Sequence, residues 1–292
     1  MKAFVLGADG QLGHELCGAL SCYAEVTAAT EAQFDMTDAA ALRGALDAAA
    51  PDVIVNAAAY TDVDGAERNP DLAWRVNAEA VELLGREARA RGCALVHYST
   101  DFVFDGMKGS AYVETDEPRP LNEYGRSKLG GEQALMGLAA PAIILRTAWV
   151  YSLRRRSFVS TILRLARERT TLKVVNDQVG NPTFCRDLAQ ATALVLFSWR
   201  DDPHGHAQAL RGVYHLAGAS ACSRHELACA AVELDPARNE HKIEIIEPVP
   251  TSAYPLPAAR PANASLDCTR AWVRLGVRLP GWRESLARAL QG

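Results

Sequence analysis

Short apolar runs alternate with longer stretches of helical period through the first half of the chain. Ala3–Leu6, Glu25–Ala29, Asp52–Asn56, Ala94–Ser99 and Ala142–Arg146 have the length and bounding of strands. Between them, Gln11–Leu20, Asp38–Ala49, Pro70–Arg91 and Leu121–Ala139 read as helices, and Leu12, Leu16 and Leu20 recur every fourth residue as one buried stripe. Strand and helix in strict alternation predict a parallel sheet wound on both sides, an α/β architecture. After Tyr151 the spacing loosens. Ser157–Arg169 and Asp187–Trp199 read as helices and Leu172–Val175 and Gly212–Leu216 as strands; Asp187–Trp199 and Gly212–Leu216 are expected to rejoin the sheet. Helical stretches around Arg224–Leu234 and Trp282–Leu290 flank the proline-rich Glu247–Pro261, which cannot be regular helix. The expected division is a sheet domain over 1–152, rejoined by 186–218, with 153–185 and 219–292 forming a smaller lobe.

Composition narrows the partners. Of 292 residues, 49% are hydrophobic and 23% charged, which excludes disordered and collagen-like chains. Thirty-one basic and thirty-five acidic residues leave a net charge of −4, so no strong field draws the chain to nucleic acid or anionic lipid. Seven cysteines without a C-x-x-C pair fit reduced thiols in a cytoplasm. His204 and His206 have no cysteine pair beside them and read as solvated loop residues, so no metal is expected. The opening residues reach Gly7 after only four apolar positions, too few for a signal-peptide core, and no run of eighteen apolar residues follows. A soluble, cytoplasmic protein is the expectation.

The glycines of Gly7-Ala8-Asp9-Gly10-Gln11-Leu12-Gly13 follow the first strand and open the first helix. In that context Gly7 allows a tight turn, Gly10 lets backbone approach a pyrophosphate, and Gly13 lets the helix pack on the strand, the arrangement of a Rossmann dinucleotide site. The second strand runs into Thr30, where a carboxylate would repel a 2′-phosphate; NADPH and NADH both stay open as cofactor. Tyr124 and Lys128 are four residues apart on one helical face, where an ammonium beside a phenol would lower its pKa from about 10 toward working pH. Thr100 and Asp101 close the fourth strand, at the sheet edge that faces a ligand crevice. A hydroxyl there could hydrogen-bond a substrate carbonyl.

The trio Thr100, Tyr124 and Lys128 resembles the Ser/Thr-Tyr-Lys constellation of the extended short-chain dehydrogenase/reductase family. Within it, the segments Val53–Thr61, Ser99–Phe104, Leu121–Lys128, Arg146–Tyr151, Asn176–Thr183 and Ala258–Leu266 resemble the dTDP-4-dehydrorhamnose reductases, in order and over essentially the whole chain. The resemblance implies a doubly wound Rossmann sheet with a smaller C-terminal substrate lobe. It also implies NAD(P)H-dependent reduction of a 4-keto nucleotide sugar to dTDP-L-rhamnose for cell-surface polysaccharide. Gly10, Gln11 and Leu12 would hold the pyrophosphate, Asp35 and Met36 the adenosine end, and Ala59, Tyr60, Thr61 and Tyr98 the rest of the cofactor. Thr100, Tyr124 and Lys128 would be catalytic, Asp101 and Trp149 would touch the deoxysugar, and Arg260 would meet the nucleotide diphosphate. Some members form a homodimer bridged by a metal on carboxylates. Glu15 matches one such position, but Arg186 stands where another carboxylate would be, which argues against a metal and leaves a homodimer open. The alternatives are another nucleotide-sugar reductase or epimerase, or a cofactor-binding regulatory subunit like the methionine adenosyltransferase β subunit.

Overall fold

The computed structural model describes all 292 residues. Five parallel strands, β1 (Lys2–Leu6), β2 (Glu25–Ala29), β3 (Val53–Asn56), β4 (Ala94–Thr100) and β5 (Ala142–Thr147), are joined by Gly212–His215 in the order Gly212–His215, β5, β4, β3, β1, β2. The chain goes from β1 to β2 on one side, then crosses to β3 on the other. That reversal opens a crevice at the carboxyl ends of β1 and β3.

Successive side chains on the strands point to opposite faces, and both faces are covered. Val5, Val53, Val55, Val96 and Leu145 pack beneath helix α1 (Gln11–Leu20) and the helix Cys185–Ser198. Phe4, Ile54, Leu95 and Ile144 pack against Leu42 and Leu46 of the helix Ala39–Ala49 and Leu84 of Ala80–Arg91. The strands therefore read as continuous apolar runs. Polar residues set the helix starts: the carboxylate of Asp38 accepts from the N–H groups of Ala40 and Ala41, and Asn122 accepts from Gly125 at the start of Glu123–Gly137.

Several elements depart from the sequence pattern. The helix expected over Pro70–Arg91 is broken by a π turn at Arg75–Glu79. His204 and His206, expected in a loop, lie in a helix, Pro203–Ala209, that starts with proline in its first turn and is capped by Asp202; His206 stacks on Trp199. The proline-rich stretch contributes a strand, Ile245–Val249, paired in parallel with Thr171–Val175. Pro248 is tolerated there because the ribbon has only two strands, so its missing N–H faces no further partner. Thr269–Leu275 is a further helix without an expectation behind it. No helix is long and apolar enough to cross a membrane.

An ion pair is enclosed between helix and sheet. Glu132, in the helix Glu123–Gly137, takes two arms of Arg146 on β5, with Nε at 2.9 Å and an outer nitrogen at 2.6 Å; Ser99 on β4 donates to the same carboxylate. Both ionic side chains are almost wholly buried, 4% and 3% exposed, so neither can fall back on water if its partner is lost. Removing one member leaves an uncompensated charge, whereas replacing both with apolar groups does not. Glu132→Ala should cost about 3–5 kcal/mol in chemical denaturation. The pair Glu132→Leu, Arg146→Met should recover most of that loss; a double variant as unstable as the single one would mean that the ion pair itself carries the stability.

Candidate active site

The first turn is built by close backbone approach. Gly7 has φ +71°, and a Cβ there would fall 2.8 Å from the amide nitrogen of Ala58 after β3. A Cβ on Gly13 would overlap the carbonyl oxygen of Gly7, so α1 sits directly on the end of β1 only because position 13 has no side chain. Gly10 caps α1 without a side-chain hydrogen bond, and the first turn carries no acidic residue. The N–H groups of that turn are left for an anion. Gln11 uses its side-chain oxygen elsewhere, accepting from the N–H and hydroxyl of Ser152 at 2.7 and 2.9 Å.

A cleft of about 1160 Å³ opens at this turn. Gly7, Gly10, Gln11 and Leu12 line it, with Thr30, Asp35 and Met36 at the β2 side and Ala59, Tyr60 and Thr61 after β3. Gly13 lies behind the turn. At the β2 end, Thr30 donates its N–H to Gln33, and hydrogen bonds from Thr37 hold Asp35 below the usual carboxylate range. The loop after β3 is pinned by a residue that the pattern did not single out. Asn77, turned inward by the π turn, accepts from the N–H of Tyr60 at 2.9 Å and donates to its carbonyl and to Ser127, each at 3.0 Å. No short-range signal marks it, since the pairing spans seventeen residues and depends on an irregular helix.

Thr100, Asp101, Tyr124, Lys128, Trp149 and Tyr98 line the same cleft. The helix carrying Tyr124 and Lys128 reaches it through Gly125, where a Cβ would overlap the carbonyl of Phe102. Lys128 is buried and donates from Nζ to the carbonyl of Tyr98 at 2.6 Å, with His97 Nε2 at 3.4 Å. Burial pulls its pKa down to about 8, against the pull of Glu132. The phenol of Tyr124 is pushed up to about 12 by burial, although the Thr100 hydroxyl works the other way. This corrects the expectation of a phenol lowered by Lys128: burial, with the Asp101 charge beside it, raises the phenol, and the ammonium is held on the Tyr98 carbonyl. Thr100 donates to Asp101 Oδ1 at 3.1 Å and accepts from the N–H of Phe102. Asp101 is 2% exposed, its Oδ2 has no hydrogen-bond partner, and burial raises it to about 7.

Trp149 holds a left-handed backbone, φ +46°, a strained conformation for a non-glycine residue. Its indole packs against Gly180, where a Cβ would fall 2.6 Å from Cε2, and the guanidinium of Arg224 lies over the ring at 3.5 Å. Arg224 also lines the cleft. The sequence pattern showed it only as the first residue of a helix.

Arg260 is placed otherwise than expected. Its two outer nitrogens grip Asp64 at 2.6 and 2.8 Å, a third hydrogen bond goes to the carbonyl of Ala258, and it is not among the cleft-lining residues. A fork so matched to a carboxylate ties the Pro-rich segment to the helix Val63–Arg68 and is not free for a phosphate. Arg186 pairs with Glu15 at 3.2 Å, so a cation already neutralises that carboxylate.

The family model described as the RmlD substrate binding domain matches residues 1–292. A dTDP-4-dehydrorhamnose reductase of Burkholderia thailandensis is 42% identical over 287 residues, covering 97% of this chain and 96% of the relative. The crystal structure of a dTDP-4-dehydrorhamnose reductase from Clostridium acetobutylicum superposes with a TM-score of 0.89 at 33% identity, over 100% of this chain and 99% of that one. The Bacillus anthracis dTDP-4-dehydrorhamnose reductase, solved in complex with NADP, gives 0.88 at 31% identity over 99% and 98%. With full-length coverage from both sequence and structure, the chain belongs to the dTDP-4-dehydrorhamnose reductase family, the bearers of the RmlD substrate binding domain.

Proposed function

We propose that this protein reduces the 4-keto group of dTDP-4-dehydro-L-rhamnose to give dTDP-L-rhamnose, using NADPH or NADH. The observation that carries the reading is the convergence of Thr100, Tyr124 and Lys128 on one cleft whose floor is the glycine turn. The donor set fits a dinucleotide: an uncapped helix start without acidic residues, and glycines whose Cβ atoms the packing would reject. Gly10, Gln11 and Leu12 would face the pyrophosphate, with Gly7 and Gly13 shaping the turn. Thr30, Asp35 and Met36 would face the adenosine half, and Ala59, Tyr60, Thr61, Tyr98 and Lys128 the nicotinamide half. NAD(P)H, when bound, supplies the hydride. The family relative solved with NADP supports NADPH as one of the two cofactors. Seven free thiols support a reducing compartment such as the cytoplasm.

The chain's own residues handle the substrate oxygen. Thr100 can turn its hydroxyl proton from Asp101 to the carbonyl oxygen, whose charge grows as the carbon is reduced. Tyr124, held protonated by burial, is an acid ready to donate to the alkoxide without first collecting a proton. Lys128, fixed on the Tyr98 carbonyl, is placed to bind ribose hydroxyls and to balance the phenolate left after transfer. Asp101 and Trp149 would contact the deoxysugar.

Loss of NADPH absorbance with the keto-sugar nucleotide tests the reaction, since a regulatory subunit would not consume the cofactor. Tyr124→Phe should lower turnover by about 10²–10⁴ with NADPH affinity nearly unchanged; unchanged turnover would remove the phenol from the reaction. Lys128→Met should weaken NADPH and slow turnover together.

The pH dependence follows from the two shifts. Tyr124 stays protonated until about 12, whereas Lys128 loses its charge above about 8. The alkaline limb of the kcat/KM profile should therefore fall above pH 8, beyond the titration of Asp101 at about 7. The limb should move to higher pH in Lys128→Arg; a limb at the same pH in that variant would assign it to another group.

Thr30→Asp should raise KM for NADPH about 10- to 100-fold relative to NADH, because a carboxylate in the partly solvated crevice would repel the 2′-phosphate. An unchanged ratio of the two constants would place the adenosine ribose elsewhere.

A further inference from the structure

The arginine best placed to hold an anion in the cleft is one without an anion of its own. Arg155 engages Asp9 beside the glycine turn and is exposed, as is Arg156, while Arg260 is gripped by Asp64 outside the cleft. Arg224 is partly buried, and its guanidinium forms no ion pair and no hydrogen bond; Asp101 acts on it only through space, and Arg260 opposes it weakly. Its neighbours are two aromatic faces, Trp149 at 3.5 Å and Phe158 at 5.1 Å.

The position is unfavourable in two ways for the free protein. Arg224 is the first residue of the helix Arg224–Leu234, where the dipole disfavours a cation. Partial burial without a hydrogen-bond partner also thins the hydration of the guanidinium, and it pulls even this strong base down to about 10. A second unpartnered group sits beside it, the buried Oδ2 of Asp101.

The scaffold nevertheless fixes the guanidinium. Cys222–Ser223 pairs antiparallel with Val179–Gly180, the N–H of Arg224 donates to the carbonyl of Gln178, and the capping box of Ser223 and Glu226 locks the helix start. One short ribbon thus sets Gly180 against the Trp149 indole and Arg224 over it. A planar fork stacked on an aromatic face, with its edge unused, is suited to paired phosphate oxygens.

We infer that Arg224 is a substrate-recognition residue that binds the diphosphate of the nucleotide sugar, the role that the sequence suggested for Arg260. The assignment rests on the proposed nucleotide-sugar reaction. That substrate carries its negative charge on the diphosphate, so a neutral sugar or nucleoside would gain nothing from the free guanidinium.

The test measures binding of dTDP and of thymidine to the protein saturated with NADPH, together with KM for the keto-sugar nucleotide. Arg224→Gln should weaken dTDP and raise KM about 10- to 100-fold, as expected when a charge-assisted hydrogen bond to phosphate is removed, with thymidine and NADPH affinities unchanged. Arg224→Lys should fall between, keeping the charge but not the fork. Because the free protein is relieved of an unpaired cation, Arg224→Gln should melt at the same or a higher temperature. Wild-type dTDP affinity in Arg224→Gln, with normal turnover by the unaltered protein, would overturn the assignment and leave the reaction standing. So would equal weakening of dTDP and thymidine, or a lower melting temperature with dTDP affinity intact, since each marks a packing role. An unaltered protein that neither binds dTDP nor reduces the keto sugar would overturn the reaction and the assignment together.

Discussion

The close packing of α1 on the end of β1 is the constraint from which the rest of the site follows. Only the absence of side chains at Gly7 and Gly13 lets the helix start lie on the strand end, with the loop after β3 pressed against it. Because the chain reverses direction across the sheet at this point, the helix N-terminus, the β3 loop and the end of β4 meet at one crevice. A methyl group at Gly13 would push the helix off the strand end, and one at Gly7 would push away the loop after β3.

Burial governs the chemistry of that crevice more than charge pairing does. It raises Tyr124 and Asp101 and lowers Lys128, so each group is moved toward its neutral form. For a reductase the direction is useful: the phenol is retained as an acid. The ammonium keeps its charge near neutral pH because it donates to a backbone carbonyl and lies within reach of Glu132. The same Glu132 neutralises Arg146, so the helix bearing Tyr124 and Lys128 is tied to the sheet beneath it by an enclosed ionic bond.

Two arginines show how cost and function divide. Arg260 is satisfied by Asp64 and fastens the C-terminal segment to the sheet domain; Arg224 is unsatisfied, stacked, and open to the cleft. A residue that is poorly paired in the free protein has its donors available for a ligand, whereas a well-paired one must first break what it has.

The sequence by itself determined the wound sheet, the glycine turn and the Tyr124–Lys128 pair. Each is written in local spacing: apolar runs of strand length, glycines at a strand-to-helix junction, two residues one helical turn apart. The tertiary structure alone decided what spans distance. The π turn that aims Asn77 at Tyr60, the strand containing Pro248, the engagement of Arg260 by Asp64 and the stacking of Arg224 on Trp149 each join residues far apart in the chain. The raised pKa of Tyr124 belongs with them. Spacing brings an ammonium within one turn of a phenol, but how much water is excluded from both depends on the walls that other segments build around them.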